Sequence, residues 1–117
     1  MADTRIFKLT EIAKSGDQAT KTVFYTSDST SGSVWVVKPG QVVAPHTHPT
    51  GDDFWYCVKG QGLFYLQVGQ EVAVTQGDMI ISSKGQCHGL KNTGKDDFIF
   101  VSIVGPLPVG YEKLTNS

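Results

Sequence analysis

The feature that most constrains this chain is an alternation of apolar and polar residues with a period of two, interrupted by a turn signal about every eight to twelve residues. Neighbouring side chains on a strand point to opposite faces, so this alternation specifies pleated strands rather than helices. The segments that carry it are Arg5–Leu9, Lys21–Thr26, Ser33–Val37, Gln41–His48, Asp53–Lys59, Gly62–Val68, Glu71–Val74, Asp78–Ile81, Gln86–Asn92 and Phe98–Val104. They are rich in Val, Ile, Phe, Tyr and Thr, which suit a half-buried pleated surface. Between them lie Lys38-Pro39-Gly40, Pro49-Thr50-Gly51-Asp52, Lys59-Gly60-Gln61-Gly62, Gln76-Gly77-Asp78 and similar clusters of turn residues. Only Leu9–Lys14 has the character of a helical turn. Many short strands in one short chain imply an all-β architecture, an antiparallel sandwich or barrel. With 117 residues there is room for a single domain, residues 1–117. Pro106 and Pro108 exclude a further central strand near the C-terminus, so the last residues are expected to wrap the surface.

Several strands are apolar on both faces. In Asp53–Lys59 one face carries Asp53, Trp55 and Cys57 and the other Phe54, Tyr56 and Val58; Phe98–Val104 behaves alike. A single antiparallel sheet normally shows polar residues on its solvent side. The outer face therefore calls for a covering layer, and a second copy of the chain, a homodimer, is the expected one.

Charge and composition narrow the partners. Ten basic residues against eleven acidic give a net charge of −1, so no nucleic acid and no anionic membrane surface is expected as a partner. No apolar run approaches the roughly 20 residues of a membrane span, and Met1–Arg5 lacks the basic and apolar regions of a secretion signal. A cytoplasmic location is the expectation, with Cys57 and Cys87 as free thiols.

The chain has three histidines. His46 and His48, two apart on an expected strand, share a face. Asp53 opens the next strand beyond a turn, and His88 lies in a later one. Two adjacent imidazoles, a carboxylate from a neighbouring strand and a remote imidazole make a ligand set suited to a divalent transition metal: Fe, Mn, Ni, Zn or Cu. The plainer alternative is that these are ordinary polar residues of a turn-rich surface. Against it, every histidine in the chain belongs to the set.

The residues that frame this set resemble a known family. Gly40, His46, Thr47, His48, Asp53 and Gly60, at their spacings over residues 40–60, look like the first motif of the cupins. Gly77, Ser83, Lys84, Gly85, His88 and Asn92, over residues 77–92, look like the second. The resemblance implies a cupin β-barrel, a jelly-roll of two antiparallel sheets with a metal near its mouth, and it places His46, His48, Asp53 and His88 at the usual ligand positions. Asp53 stands where glutamate is more usual and is one methylene shorter, so either a four-ligand or a three-histidine site is compatible with the chain. Ser83 stands in place of a turn proline.

Alternation further places Trp55 and Cys57 on the inward face with Asp53, as pocket wall or as plain barrel filling, and Cys87 away from the site. Gln86 is expected near the mouth beside His88, and Phe100 and Ser102 at the cavity floor. Asn92 is expected to cap a turn. The resemblance implies metal-dependent chemistry on a small polar metabolite, most naturally dioxygenase-like, with isomerase or lyase chemistry as variants. The alternative is a non-catalytic small-molecule-binding or sensing cupin, because fold alone does not fix function.

Overall fold

A computed structural model describes residues 5–114. After a short helix, α1 (Leu9–Ile12), come ten strands: β1 (Thr20–Thr26), β2 (Ser31–Val37), β3 (Val42–Thr47), β4 (Asp52–Lys59), β5 (Gln61–Gln67), β6 (Gln70–Thr75), β7 (Met79–Ser82), β8 (His88–Lys91), β9 (Phe98–Gly105) and β10 (Glu112–Lys113). They form two five-stranded antiparallel sheets, ordered β1-β2-β9-β4-β7 and β10-β3-β8-β5-β6. The antiparallel architecture expected from the alternation, and the two-sheet jelly-roll that the resemblance implies, are therefore present.

Each sheet sends one set of alternating side chains inward. Val37, Trp55, Cys57, Phe98 and Phe100 from the first sheet meet Val43, Phe64, Val74 and Leu90 from the second. Trp55 stacks on Phe100 with ring centroids 3.9 Å apart and meets the edge of Phe64 at 5.5 Å. Offset-stacked and edge-to-face contacts of this kind are the favoured aromatic geometries. This packed layer fills one end of the sandwich and leaves the other end for polar residues.

Asn92 ties the two motif regions together. Its Nδ2 donates to the Val37 and Asp96 carbonyls, both at 2.8 Å, and its Oδ1 accepts from Gly94 N at 2.8 Å. The turn cap expected of it is there, with a second duty added. Its backbone carbonyl also accepts from Gly40 N at 2.9 Å. Each such bond contributes about 0.5–1.5 kcal/mol net, and the side chain is buried. Gly40 and Gly60 both have positive φ, +86° and +98°, which suits the tight strand-end turns that the sequence assigns them.

Two expectations need correction. Arg5–Leu9 is not a strand: Arg5–Lys8 is irregular and Leu9 begins α1. Phe7 packs its ring on Phe24 at 5.1 Å. The C-terminal segment does more than wrap the surface, because β10 adds an edge strand beside β3. The prolines precede it, as edge position allows. Among the described residues, no helix is long and apolar enough to cross a membrane. The outer face of the first sheet stays open in the single chain: Met79 is 67 % exposed, Ile81 60 % and Tyr56 43 %.

Candidate metal centre

The polar end of the sandwich is built from both sheets. On β3, a register shift between Val43 and His46 at Pro45 turns the strand so that His46 lies directly opposite His88 of β8. That close approach needs Gly89: a Cβ there would lie 2.7 Å from the Val43 carbonyl and 3.0 Å from Pro45. His48 follows immediately after β3. Asp53 comes from the first sheet, second residue of β4, with its side chain turned inward across the gap. The sequence-expected quartet is thus brought together, and its candidate ligand atoms lie within 4.8 Å of one another.

The imidazoles are held in a common pattern. Each faces a backbone carbonyl with Nδ1: His46 with Ala44 at 2.7 Å, His48 with Gly110 at 2.6 Å, and His88 with Gln86 at 3.2 Å. A carbonyl oxygen can only accept, so each Nδ1 carries the proton, and in the neutral ring Nε2 presents a lone pair. Backbone carbonyls orient metal-binding imidazoles in this way. Asp53 Oδ2 lies 3.4 Å from His48 Nε2 and 3.0 Å from His88 Nε2. Its other oxygen accepts a hydrogen bond from Ser102 Oγ at 2.6 Å. So the shorter aspartate does reach the cluster, and Ser102, expected on the cavity floor, fixes its rotamer.

The donor set fits a metal. His88 Nε2 is buried and, despite its closeness to Asp53, makes no hydrogen bond. A buried polar atom left unpaired costs roughly 1–3 kcal/mol, a cost that a cation at this point removes. Two ligands each about 2.1 Å from one ion stand about 3.0 Å apart across an octahedral edge and about 3.4 Å across a tetrahedral one; the separations of Asp53 from the two histidines match those edges.

Electrostatics follow the same geometry. Burial pushes the His46 imidazole down to about 4. For His48, burial acts in the same direction but is outweighed by the Asp53 carboxylate and the Gly110 carbonyl, so its pKa is raised. For Asp53, burial favours the neutral acid, yet His48, His88 and Ser102 together hold it well below the usual carboxylate range.

A cavity of about 420 Å³ opens over His46, His48 and Asp53 of the cluster, with His88 buried behind them. His46, His48, Asp53, Trp55 and Ser102 form its inner part, Trp35, Val43 and Val104 its wall, and Lys21, Val109, Gly110 and Tyr111 reach its mouth. Trp55 is placed as the sequence implies, and its ring meets His88 edge-on at 5.7 Å. Three expected lining residues lie elsewhere. Cys57 sits one strand repeat deeper, fully buried in the apolar core, where burial pushes its thiol up to about 11; it is barrel filling. Phe100 lies behind the wall, stacked between Trp35 and Trp55. Gln86 is exposed on a different groove, where its Oε1 accepts from Ser83 N at 2.7 Å. Strand β8 begins only at His88, so alternation does not carry back to Gln86, which serves the site through its carbonyl. Cys87 faces the same outer groove, away from the cluster as expected, and both cysteines are free. Neither Lys21 nor Tyr111 belongs to a motif, so no local pattern marks either as a lining residue.

These shifts fix a pH profile for the metal-free protein. An unfolded histidine titrates near 6.5. Below that pH the unfolded chain takes a proton that His46 refuses when folded, so stability falls as pH drops from 6.5 towards about 4. His48, raised, contributes stability that is complete below 6.5 and is lost as pH rises through its folded value. Urea denaturation of metal-free protein is expected to give greatest stability near pH 6.5, with His46→Gln flattening the acid limb between 6.5 and 5 and His48→Gln the alkaline limb.

Comparison with known proteins agrees with the geometry. The family model of the cupin domain matches residues 33–104, more than half of the chain. A crystal structure of an uncharacterized conserved protein with a double-stranded β-helix domain from Klebsiella pneumoniae is 31 % identical, with 97 % of this chain and 100 % of that one covered and a TM-score of 0.93. An oxalate-binding protein of Thermotoga maritima is 30 % identical over 66 residues, 56 % of this chain and 54 % of its own. The tetracenomycin polyketide synthase protein TcmJ of Streptomyces glaucescens is 29 % identical over 69 residues, 59 % of this chain and 46 % of its own. The chain thus spans about half the length of the curated relatives it matches. With two sheets, a histidine–aspartate cluster between them and a family match that contains all four cluster residues, the chain belongs to the cupin domain family.

Proposed function

We propose that the protein is a metal-dependent enzyme whose centre, His46, His48, Asp53 and His88, acts on a small anionic metabolite held in the cavity above it. The observation that carries this reading is the convergence of imidazole lone pairs on a carboxylate oxygen, with each imidazole proton committed to a carbonyl on the far side of its ring. Facing acceptors repel unless positive charge stands among them, a proton on His48 or a metal ion, and only the ion engages every member of the cluster at once. A divalent transition ion bound there supplies Lewis acidity and, where redox-active, the means of dioxygenase-like chemistry.

The chain's own residues define what else enters. Among the described residues Lys21 is the one lysine or arginine in the cavity lining, and it acts electrostatically on His48. Among the described residues Asp53 is the one lining carboxylate, and it is engaged by the cluster. An occupant with a carboxylate therefore meets positive charge without repulsion at the mouth. Trp55 lines the cavity with its ring, while its Nε1–H is buried out of reach of solvent. Trp35, Val43 and Val104 make part of the lining apolar. The oxalate-binding relative supports a small dicarboxylate as the ligand class.

A second reading, a binding protein without turnover, is favoured by one observation: with Asp53 engaged, no other carboxylate among the described residues lines the cavity to serve as general base. In either reading, a homodimer covers Tyr56, Met79 and Ile81 on the outer sheet face; sedimentation equilibrium is expected to give twice the 12.7 kDa chain mass, and a monomer mass at micromolar concentration contradicts it.

Calorimetric titration of Mn(II)-loaded protein with oxalate tests the ligand class. Saturable binding is expected, weakened about five-fold by Lys21→Ala, the size of one solvent-screened ion pair. No binding by loaded protein contradicts the reading. Consumption of oxalate or another small carboxylate by the loaded protein, lost in His88→Ala, separates the enzyme from the binder.

A further inference from the structure

The residues that complete the site from outside lie beyond the family match, which ends at Val104. From Gly105 the chain leaves β9 and crosses the mouth of the cavity. Leu107 N donates to the Ser29 carbonyl at 3.0 Å. The Pro108 carbonyl accepts from Thr50 Oγ1 at 2.7 Å, and the Val109 carbonyl from Thr50 N at 3.0 Å. The strap then joins the sheet, with Glu112 opposite Thr47, Lys113 opposite His46, and Leu114 N donating to the Pro45 carbonyl at 2.9 Å.

Between these anchors the strap touches two histidines of the cluster. The Gly110 carbonyl accepts from His48 Nδ1 at 2.6 Å, the shortest of the imidazole–carbonyl bonds. His46 and His88 take their carbonyls from two residues earlier in their own segments, but His48 takes its carbonyl from a residue 62 positions away. Gly110 reaches it with φ +72°, a conformation that L side chains seldom adopt. The Tyr111 ring lies on His46 with centroids 5.0 Å apart and planes 28° from parallel. Tyr111 is 62 % exposed, so this contact is not part of the apolar core.

We infer that the C-terminal strap is a positioning element of the metal centre, with the Gly110 carbonyl setting the tautomer and direction of His48 and the Tyr111 ring setting the plane of His46. Docking of the strap and binding of the ion are then one coupled equilibrium. An ion that needs both Nε2 atoms aimed inward favours the docked strap, and a docked strap favours the ion. Gly110 and Tyr111 are positioning residues, acting through His48 and His46. This inference rests on the reading that the cluster binds a divalent ion.

Co(II) is a suitable probe, because its visible absorption reports ligand number and geometry. In the intact chain, Co(II) is expected to slow hydrogen exchange at the Leu107 and Leu114 amides. Tyr111→Ala is expected to weaken Co(II) binding roughly three- to ten-fold, and Tyr111→Phe, which keeps the ring, to restore it. Gly110→Val, whose branched side chain does not tolerate the positive φ, is expected to weaken binding about ten-fold and to alter the Co(II) spectrum. Thermal unfolding by circular dichroism checks that each variant retains the fold. If wild type binds Co(II) while Leu107 and Leu114 exchange at unchanged rates, and Tyr111→Ala binds Co(II) like wild type, the coupling is overturned and the metal reading stands. If wild type binds no Co(II), both fall together.

Discussion

The hydrogen bond from imidazole Nδ1 to a backbone carbonyl, made by each histidine of the chain, is the interaction on which the site depends. It settles which nitrogen is protonated and which way the other points. Reversing any one of them would aim an N–H at the centre and lose a donor atom. The carbonyls come from Ala44 near the bulge in β3, from Gln86 just before β8, and from Gly110 on the C-terminal strap. The backbone of three separate segments thus sets the chemistry of three side chains.

The sandwich exists, in this sense, to bring those segments into register. The second sheet sets His46 against His88, and the first delivers Asp53 on a side chain braced by Ser102. Trp55 joins the two halves of the molecule, since one strand repeat separates it from Asp53 and its ring bears both on Phe100 in the core and on His88 at the site. Apolar packing therefore reaches the polar cluster without a gap. The coordination-sized separations around Asp53 Oδ2 result from rigid sheets, not from flexible side chains finding one another.

Much of this was legible in the sequence, and the physical reasons are specific. Period-two alternation located the strands from Lys21 to Val104, because sidedness on a strand leaves a direct mark on residue order. The same rule placed His46 with Asp53's partners and turned Cys87 outward. It failed where a strand was shorter than its pattern: Gln86 lies outside β8, so its side chain follows a turn rather than a pleat. It could give direction but not depth, which is why Cys57 and Phe100 share the inward face with Trp55 yet lie in the core below or behind the cavity. Arg5–Leu9 alternates, yet it runs as irregular chain into α1 rather than as a strand. Tyr111 and the Gly110 carbonyl were hidden for a different reason. Their importance comes from contacts across more than sixty residues of chain, made partly by backbone atoms, and local pattern carries no record of those.

The chemistry of this site depends on the cluster holding an ion. The most direct test is elemental analysis of protein purified without chelators and without a metal-affinity column, beside His88→Ala treated identically. The account predicts about one divalent transition ion per wild-type chain, as one four-ligand site allows, and almost none in the variant. Wild-type protein that carries no such ion, and takes up none when Fe(II), Mn(II), Ni(II), Cu(II) and Zn(II) are offered in turn, would contradict it.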